Sequence, residues 1–223
     1  MENNKKEERN NNSKFNKIIK YLVLSDLIFW SGWGLVNPIF AIFITDNIEG
    51  GNALVVGIAS GVYWLLKSIL MIPIGTFLDN RPGEKDDYWV LVSGFFIAAL
   101  VPFGFIFAKL PWHIYLLQAI QAVGMAASLS AWSAIFTRHI DKGKEATEWS
   151  LDATAVGLGT GISGTIGGWA VTKFGFNPVF IAVGILGIIG TLLLLSLRRH
   201  MRAKRDHGLY FSLRDIFQRL DEK

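Results

Sequence analysis

Six apolar stretches, each set off by clusters of charge, leave this chain little freedom about its surroundings. They run over residues 21–45, 53–78, 88–108, 111–137, 149–174 and 176–197. A helix rises about 1.5 Å per residue, so about 20 apolar residues cross the hydrocarbon core of a bilayer. Every stretch reaches that length, and together they occupy most of the 223 residues. The pattern predicts an all-α integral membrane protein with six transmembrane helices and no room for a soluble domain. It divides the chain into a polar tail over 1–20, a membrane domain over 21–198 and a basic, amphipathic segment over 199–223.

The N-terminal tail, MENNKKEERNNNSKFNKIIK, is Asn-rich and polar, with the composition of a disordered segment. The apolar run behind it is too long for a signal-peptide core and lacks a small-residue cleavage pattern, which points to an uncleaved first helix. Lysine and arginine set the orientation. Six stand in the N-terminal tail, two in the loop after the second span, three in the loop after the fourth and eight from Arg198 onward. Only Lys109 and Lys173 fall on the other side, and Lys67 lies inside a span. The positive-inside rule then places both termini in the cytoplasm of a multi-pass protein of the plasma (cytoplasmic) membrane. The basic balance therefore reflects orientation and not nucleic-acid binding. The chain has no cysteine, so thiol and disulfide chemistry are excluded.

Tryptophan divides into two sets. Trp89, Trp112, Trp149 and Trp169 fall near span ends, where an interfacial belt forms. Trp30, Trp33, Trp64 and Trp132 are deep. In the first span Asp26, Trp30, Trp33 and Asn37 are spaced to share one helical face. Gln118, Gln121, Met125, Ser128 and Trp132 share a face of the fourth, and Ser60, Trp64 and Lys67 share one of the second. The third and sixth spans carry almost no polar side chains. Spans one, two and four thus look inward on something polar.

Asp26 and Lys67 lie roughly 9 and 18 Å from the cytoplasmic boundary at the helical rise. A leaning lysine stem could cover most of that difference and pair them. Such a pair either fixes helix packing or forms a substrate or proton site, since intramembrane charges serve both ends. In span five Gly157, Gly161, Gly164 and Gly168 share a face that permits close helix approach, within the chain or between subunits. Asp152 is expected in the first turn of that helix, favoured by its dipole. No phosphate-binding loop, metal-ligand cluster or nucleophile–base arrangement is present, and His113, His139, His200 and His207 fall near span ends or in tails. Neither a catalytic site nor a cofactor is expected.

The stretch GTFLDNRPGEK, from Gly75, resembles the signature of the major facilitator superfamily between its second and third helices, with Asp79, Arg81, Gly83 and Lys85 in place. LLQAIQAVGMAAS, from Leu116, is similar to the helix-four motif of proton-coupled members in Gln121 and Gly124, with Gln118 where those members carry arginine. GTGISGTIGGWAVTKFGF, from Gly159, resembles the helix-five antiporter motif, with Ser163 and Gly164 replacing its Gly-Pro pair. The resemblance extends over about residues 16–200. It implies a fold of two six-helix halves, each a 3+3 inverted repeat, in which helices one and four line a central cavity.

On that reading the chain is one half of a secondary transporter working by alternating access on a small-molecule substrate, with or without proton coupling. Asp26, Trp30, Trp33, Asn37, Lys67, Gln118, Gln121 and Trp132 would form the substrate or ion path, and Gly75, Asp79 and Arg81 the cytoplasmic gate. Polar stripes do not tolerate lipid, so a second half is required. A second copy is the simplest source, giving a homodimer in which Asp79 faces the start of the partner's fifth span and the glycine face of span five serves the interface. A different six-helix chain, or a non-transporting assembly or regulatory subunit, is the alternative. The tail helix, with Leu209, Leu213, Ile216, Phe217 and Leu220 on one face, would lie on the cytoplasmic bilayer surface.

Overall fold

The computed structural model describes residues 16–81 and 84–198. The tail helix after residue 198, residues 1–15 and Gly83 of the signature turn lie outside them. The described chain is helical: α1 (Lys17–Gly34), α2 (Phe40–Asn47), α3 (Ala53–Asp79), α4 (Glu84–Phe105), α5 (Pro111–His139), α6 (Glu145–Phe174) and α7 (Phe176–Leu197).

Five of the expected spans are single helices, and the first is not. Between α1 and α2 the chain passes through a 3-10 turn over Asn37–Ile39. Pro38 lacks an N–H, and its ring would collide with the Gly34 carbonyl in a continuous α-helix. The backbone there closes i→i+3 bonds instead, Val36 N–H to Trp33 O at 3.1 Å and Ile39 N–H to Val36 O at 2.9 Å. Pro73 and Pro102 sit inside α3 and α4 without ending them.

The other boundaries follow from capping chemistry. The Asn52 side chain accepts from Leu54 N–H at 2.9 Å and Val55 N–H at 3.1 Å, starting α3. Helices α4 and α6 begin in charged turns ahead of their apolar runs. Glu84, Asp86 and Asp87 open the first, Glu145 and Glu148 the second, where the helix dipole favours carboxylates. Gly175, at φ +79°, ends α6 and lets α7 start at once.

Five spans are long and apolar enough to cross a membrane: Lys17–Asn47, Ala53–Asp79, Glu84–Phe105, Pro111–His139 and Phe176–Leu197. Helix α6, with 30 residues, has the length but not the hydropathy, because glycine, threonine and Asp152 dilute its apolar side chains. The expectation of six apolar spans is met by five.

Packing places α6 on α1, α1 on α7, α7 on α4, α4 on α5 and α5 on α3. At the non-cytoplasmic end expected from the sequence, Phe43 of α2 meets Phe105 of α4 at 6.2 Å and Phe176 and Phe180 of α7 at 5.3 and 4.8 Å between ring centres. Helices α3 and α6 are the outer members of the row. Trp64, Leu65, Ile69 and Ile72 on α3, and Leu158, Ile162 and Trp169 on α6, are exposed.

Glycine decides the closest seams. A Cβ on Gly34 would overlap Ser163 and Thr160 of α6, and one on Gly167 would overlap the Leu35 carbonyl. Gly159 faces Ser31 and Leu27 in the same way. The α1–α6 contact is therefore made by Gly159, Ser163 and Gly167. Of the expected row, Gly157, Gly161 and Gly168 have nothing within 4 Å of a Cβ, and only Gly164 touches α1, through Pro38 and Gly34.

Candidate functional site in the membrane spans

Asp26 and Lys67 are both buried, at 7% and 8% exposure, and they are not partners. No ion pair joins them among the described residues. The Lys67 Nζ lies 3.9 Å from the Trp64 ring centre and 5.2 Å from that of Tyr63. Lysine on a helix turns its side chain back toward the preceding turn, and here both aromatics occupy that turn. Cation–π attraction of about 0.5–2 kcal/mol offsets only part of the cost of a lysine at mid-span, about 3 kcal/mol on insertion scales.

Asp26 instead feels the carboxylate of Asp152 on α6. Parallel packing of α1 on α6 sets the two acids on adjoining helices. Because α6 begins at Glu145, Asp152 is two turns inside the helix and not in its first turn. Each acid keeps a buried Oδ1 without a hydrogen-bond partner among the described residues. No signal within one span could have shown this contact, since it depends on the α1–α6 crossing.

The remaining expected path residues divide. Trp33, Gln121 and Trp132 are buried, Trp30 and Gln118 half-buried, and Asn37 is exposed at the helix break. Trp132 stacks on Phe136 at 4.5 Å and meets Trp149 at 5.7 Å, so it is an aromatic packing residue as well. Trp149, expected in the interfacial belt, joins that cluster by also packing on Phe136 at 4.7 Å. Gln121 Oε1 and Trp132 Nε1 are buried without partners. Within hydrocarbon an unsatisfied polar atom costs several kcal/mol.

The C-terminal ends of α3 and α5 enclose a groove of about 430 Å³ lined by Met71, Gly75, Leu78, Asp79, Ser130 and Arg138, among others. Two expected gate residues, Gly75 and Asp79, line it. Arg81 turns away, pairing with Asp86 at 3.3 Å and lying over Phe77 at 4.2 Å. The buried ion pair here joins Arg138 of α5 to Asp87 of α4, whose side chain is 1% exposed. The sequence reading missed both, because each stands in a charged loop that resembles ordinary solvated surface. His139 adds a contact to Glu84 at 3.5 Å, and its carbonyl accepts from Asn16 at 3.1 Å, tying α5 to α1. In the next turn the Gly143 N–H donates to Glu145 at 3.0 Å and holds that carboxyl below its usual range.

Comparison with known proteins agrees with the helical membrane architecture. Over 150 residues the chain is 28% identical to the inner membrane transport protein YajR of Escherichia coli, covering 66% of this chain and 31% of the relative. Over 154 residues it is 22% identical to a gallate transporter of Pseudomonas putida, covering 69% and 30%. The matched part is thus about a third of the length of either relative. The family model of the Major Facilitator Superfamily matches residues 22–212. An integral membrane chain with that match over most of its length belongs to the Major Facilitator Superfamily, a family of transporters and not of enzymes.

Proposed function

We propose that the chain is one six-span half of a secondary transporter, moving a small solute by alternating access in company with a second half. The observation that carries this reading is the set of unpartnered polar atoms at span depth on Asp26, Asp152, Gln121 and Trp132. Asp26, Trp30, Trp33, Asn37, Lys67, Gln118, Gln121 and Trp132 line the path, and Asp152 joins them beside Asp26. Gly75 and Asp79 belong to the cytoplasmic gate, with Arg81 at its edge paired to Asp86. Both termini face the cytoplasm of the plasma membrane.

The packing order supports a 3+3 repeat. By span number the row reads five, one, six, three, four, two. Exchanging the first three spans for the last three and reading backward reproduces the same row. The open faces of α3 and α6 support a second half against them, and Gly157 and Gly161 on α6 leave room for close crossing. A second copy in two-fold relation would set each α3 against the other α6. One observation favours a different half: in a second copy Asp79 would meet the exposed Glu145 carboxylate at the start of α6. The gallate relative makes small organic solutes the class to screen first, and the Asp26 and Asp152 carboxyls provide a means of proton coupling.

The test is the native mass of the full chain in lipid nanodiscs, with counterflow of a solute panel including gallate in proteoliposomes. A dimer mass with flux abolished by Asp26→Asn and Lys67→Gln together, at unchanged expression, is expected. A monomer shifts the reading to a heteromeric half. Flux unaffected by the double substitution removes these residues from the path, and a cellular effect that persists without flux identifies a non-transporting subunit.

A further inference from the structure

Lys67 is the one buried cation of the described spans, and no counter-ion pairs with it among the described residues. Helix α5, against which α3 packs, carries no carboxylate between Pro111 and Thr137. Asp26, on α1, forms no ion pair with Lys67 among the described residues. Asp79 lies twelve residues along α3, at its cytoplasmic end. The Trp64 and Tyr63 rings shield the ammonium, but an aromatic face is a weaker partner for a desolvated cation than an anion is.

The surface beside the lysine is shaped for a particular kind of anion. Trp64 is 59% exposed, while Lys67, whose ammonium lies over its ring, is buried along its stem. Gly61 and Gly57, one and two turns before Trp64 on the same side of α3, leave open space where a Cβ would stand. Ser60 is exposed on that face too. A flat apolar body could lie along the glycine notch against the Trp64 ring with its anionic end at Nζ. We propose that Lys67, Trp64 and the Gly57–Gly61 notch form an organic-anion subsite, selecting a small aromatic or similarly flat monocarboxylate.

The proposal rests on the transporter reading and names the substrate class that reading leaves open. A carboxylate of the second half is the competing counter-ion. If that half is a second copy, its carboxyls at span depth are again Asp26 and Asp152; on the α6 set against α3, Asp152 stands seven residues from the helix start while Lys67 stands twelve from the same end of α3, about 8 Å deeper. The solute is then the source of the negative charge.

The test is calorimetric titration of the full chain in nanodiscs with three probes of one shape: benzoate, neutral benzamide and cationic benzylamine. Benzoate is expected to bind and the other two to be refused. Its affinity should fall about tenfold or more in Lys67→Met, the size of a lost charge-assisted hydrogen bond, and be retained in Lys67→Arg. Lys67→Gln is a second neutral variant should the methionine form fail to fold.

Benzoate binding that is unchanged in the neutral variants, shared with benzamide, replaced by benzylamine or absent overturns the subsite. Absence is also the result expected of a lysine neutralised by the second half. Solute counterflow on the same preparation separates the two readings. Flux without benzoate binding sinks the anion subsite and leaves transport standing, whereas benzoate binding without flux of any solute does the reverse.

Discussion

Gly94 and Gly124 face each other so closely that neither position has room for a side chain. A Cβ on Gly94 would stand 2.5 Å from the Gly124 carbonyl oxygen, and one on Gly124 would stand 2.8 Å from that of Gly94. This crossing fixes α4 on α5, and through α5 it sets the place of Gln121, Trp132 and Arg138. Lipid gives helices no hydrophobic reason to associate, so close backbone contact is a main source of cohesion. Gly94→Ala should therefore lower stability by about 1–3 kcal/mol, the usual cost of overpacking. Thermal unfolding in nanodiscs checks this, with Gly61→Ala, which meets open space, as the unchanged control.

The Asp87–Arg138 pair is half in water. Asp87 is 1% exposed at its side chain and Arg138 is 39% exposed. Removing the arginine strands a buried carboxylate, which costs about 3–5 kcal/mol in a fully buried setting; solvent around Arg138 moves the effect to the low end, about 3 kcal/mol. Arg138→Met should show that loss in the same unfolding assay. Asp87→Asn added to it should recover most of the loss, because the stranded charge is gone.

Pro38→Ala should let α1 and α2 join. The restored N–H at position 38 can bond the Gly34 carbonyl, and exchange of backbone amides over residues 36–40 should slow by mass-spectrometric hydrogen exchange. Unchanged exchange would mean that tertiary packing, such as the Pro38–Gly164 contact, and not the missing donor, holds the break.

Leucine at Gly157 and Gly161 tests the open face of α6. No atom of the chain lies within 4 Å of a Cβ at either position, so helix content and monomer stability should hold. A second half packed there has to retreat, and the assembled fraction by native mass should fall about tenfold for a loss of about 1.4 kcal/mol. An unaltered mass distribution places the interface elsewhere.

The first span shows how far single-helix patterns reach. Its length and apolar character were legible, and so was the common face of Asp26, Trp30 and Trp33. The helix break was not, although Pro38 stood in the stretch, because a proline inside a membrane helix either kinks or is absorbed, as Pro73 and Pro102 are. The glycines of span five divide in the same way. Their spacing announced a close contact, but the row that touches α1 is Gly159, Ser163 and Gly167, and the more regular row is open. Periodicity identifies faces of a helix, and it does not say which face has a neighbour.

From the sequence alone came the bilayer as solvent, the location of the helices, the one-sided bias of positive charge and the family signature at Gly75–Asp79. Each is local: a helix satisfies its own backbone bonds, and the hydrocarbon thickness sets its length. Tertiary structure decided the partners of the buried charges. Lys67 meets Trp64 and Asp87 meets Arg138, while Asp26 and Asp152 stand on adjoining helices. A charge in a span needs some answer from its surroundings, but which group supplies it depends on helix crossing and rotation. Those are set by where glycine lets backbones touch, often far away in the chain.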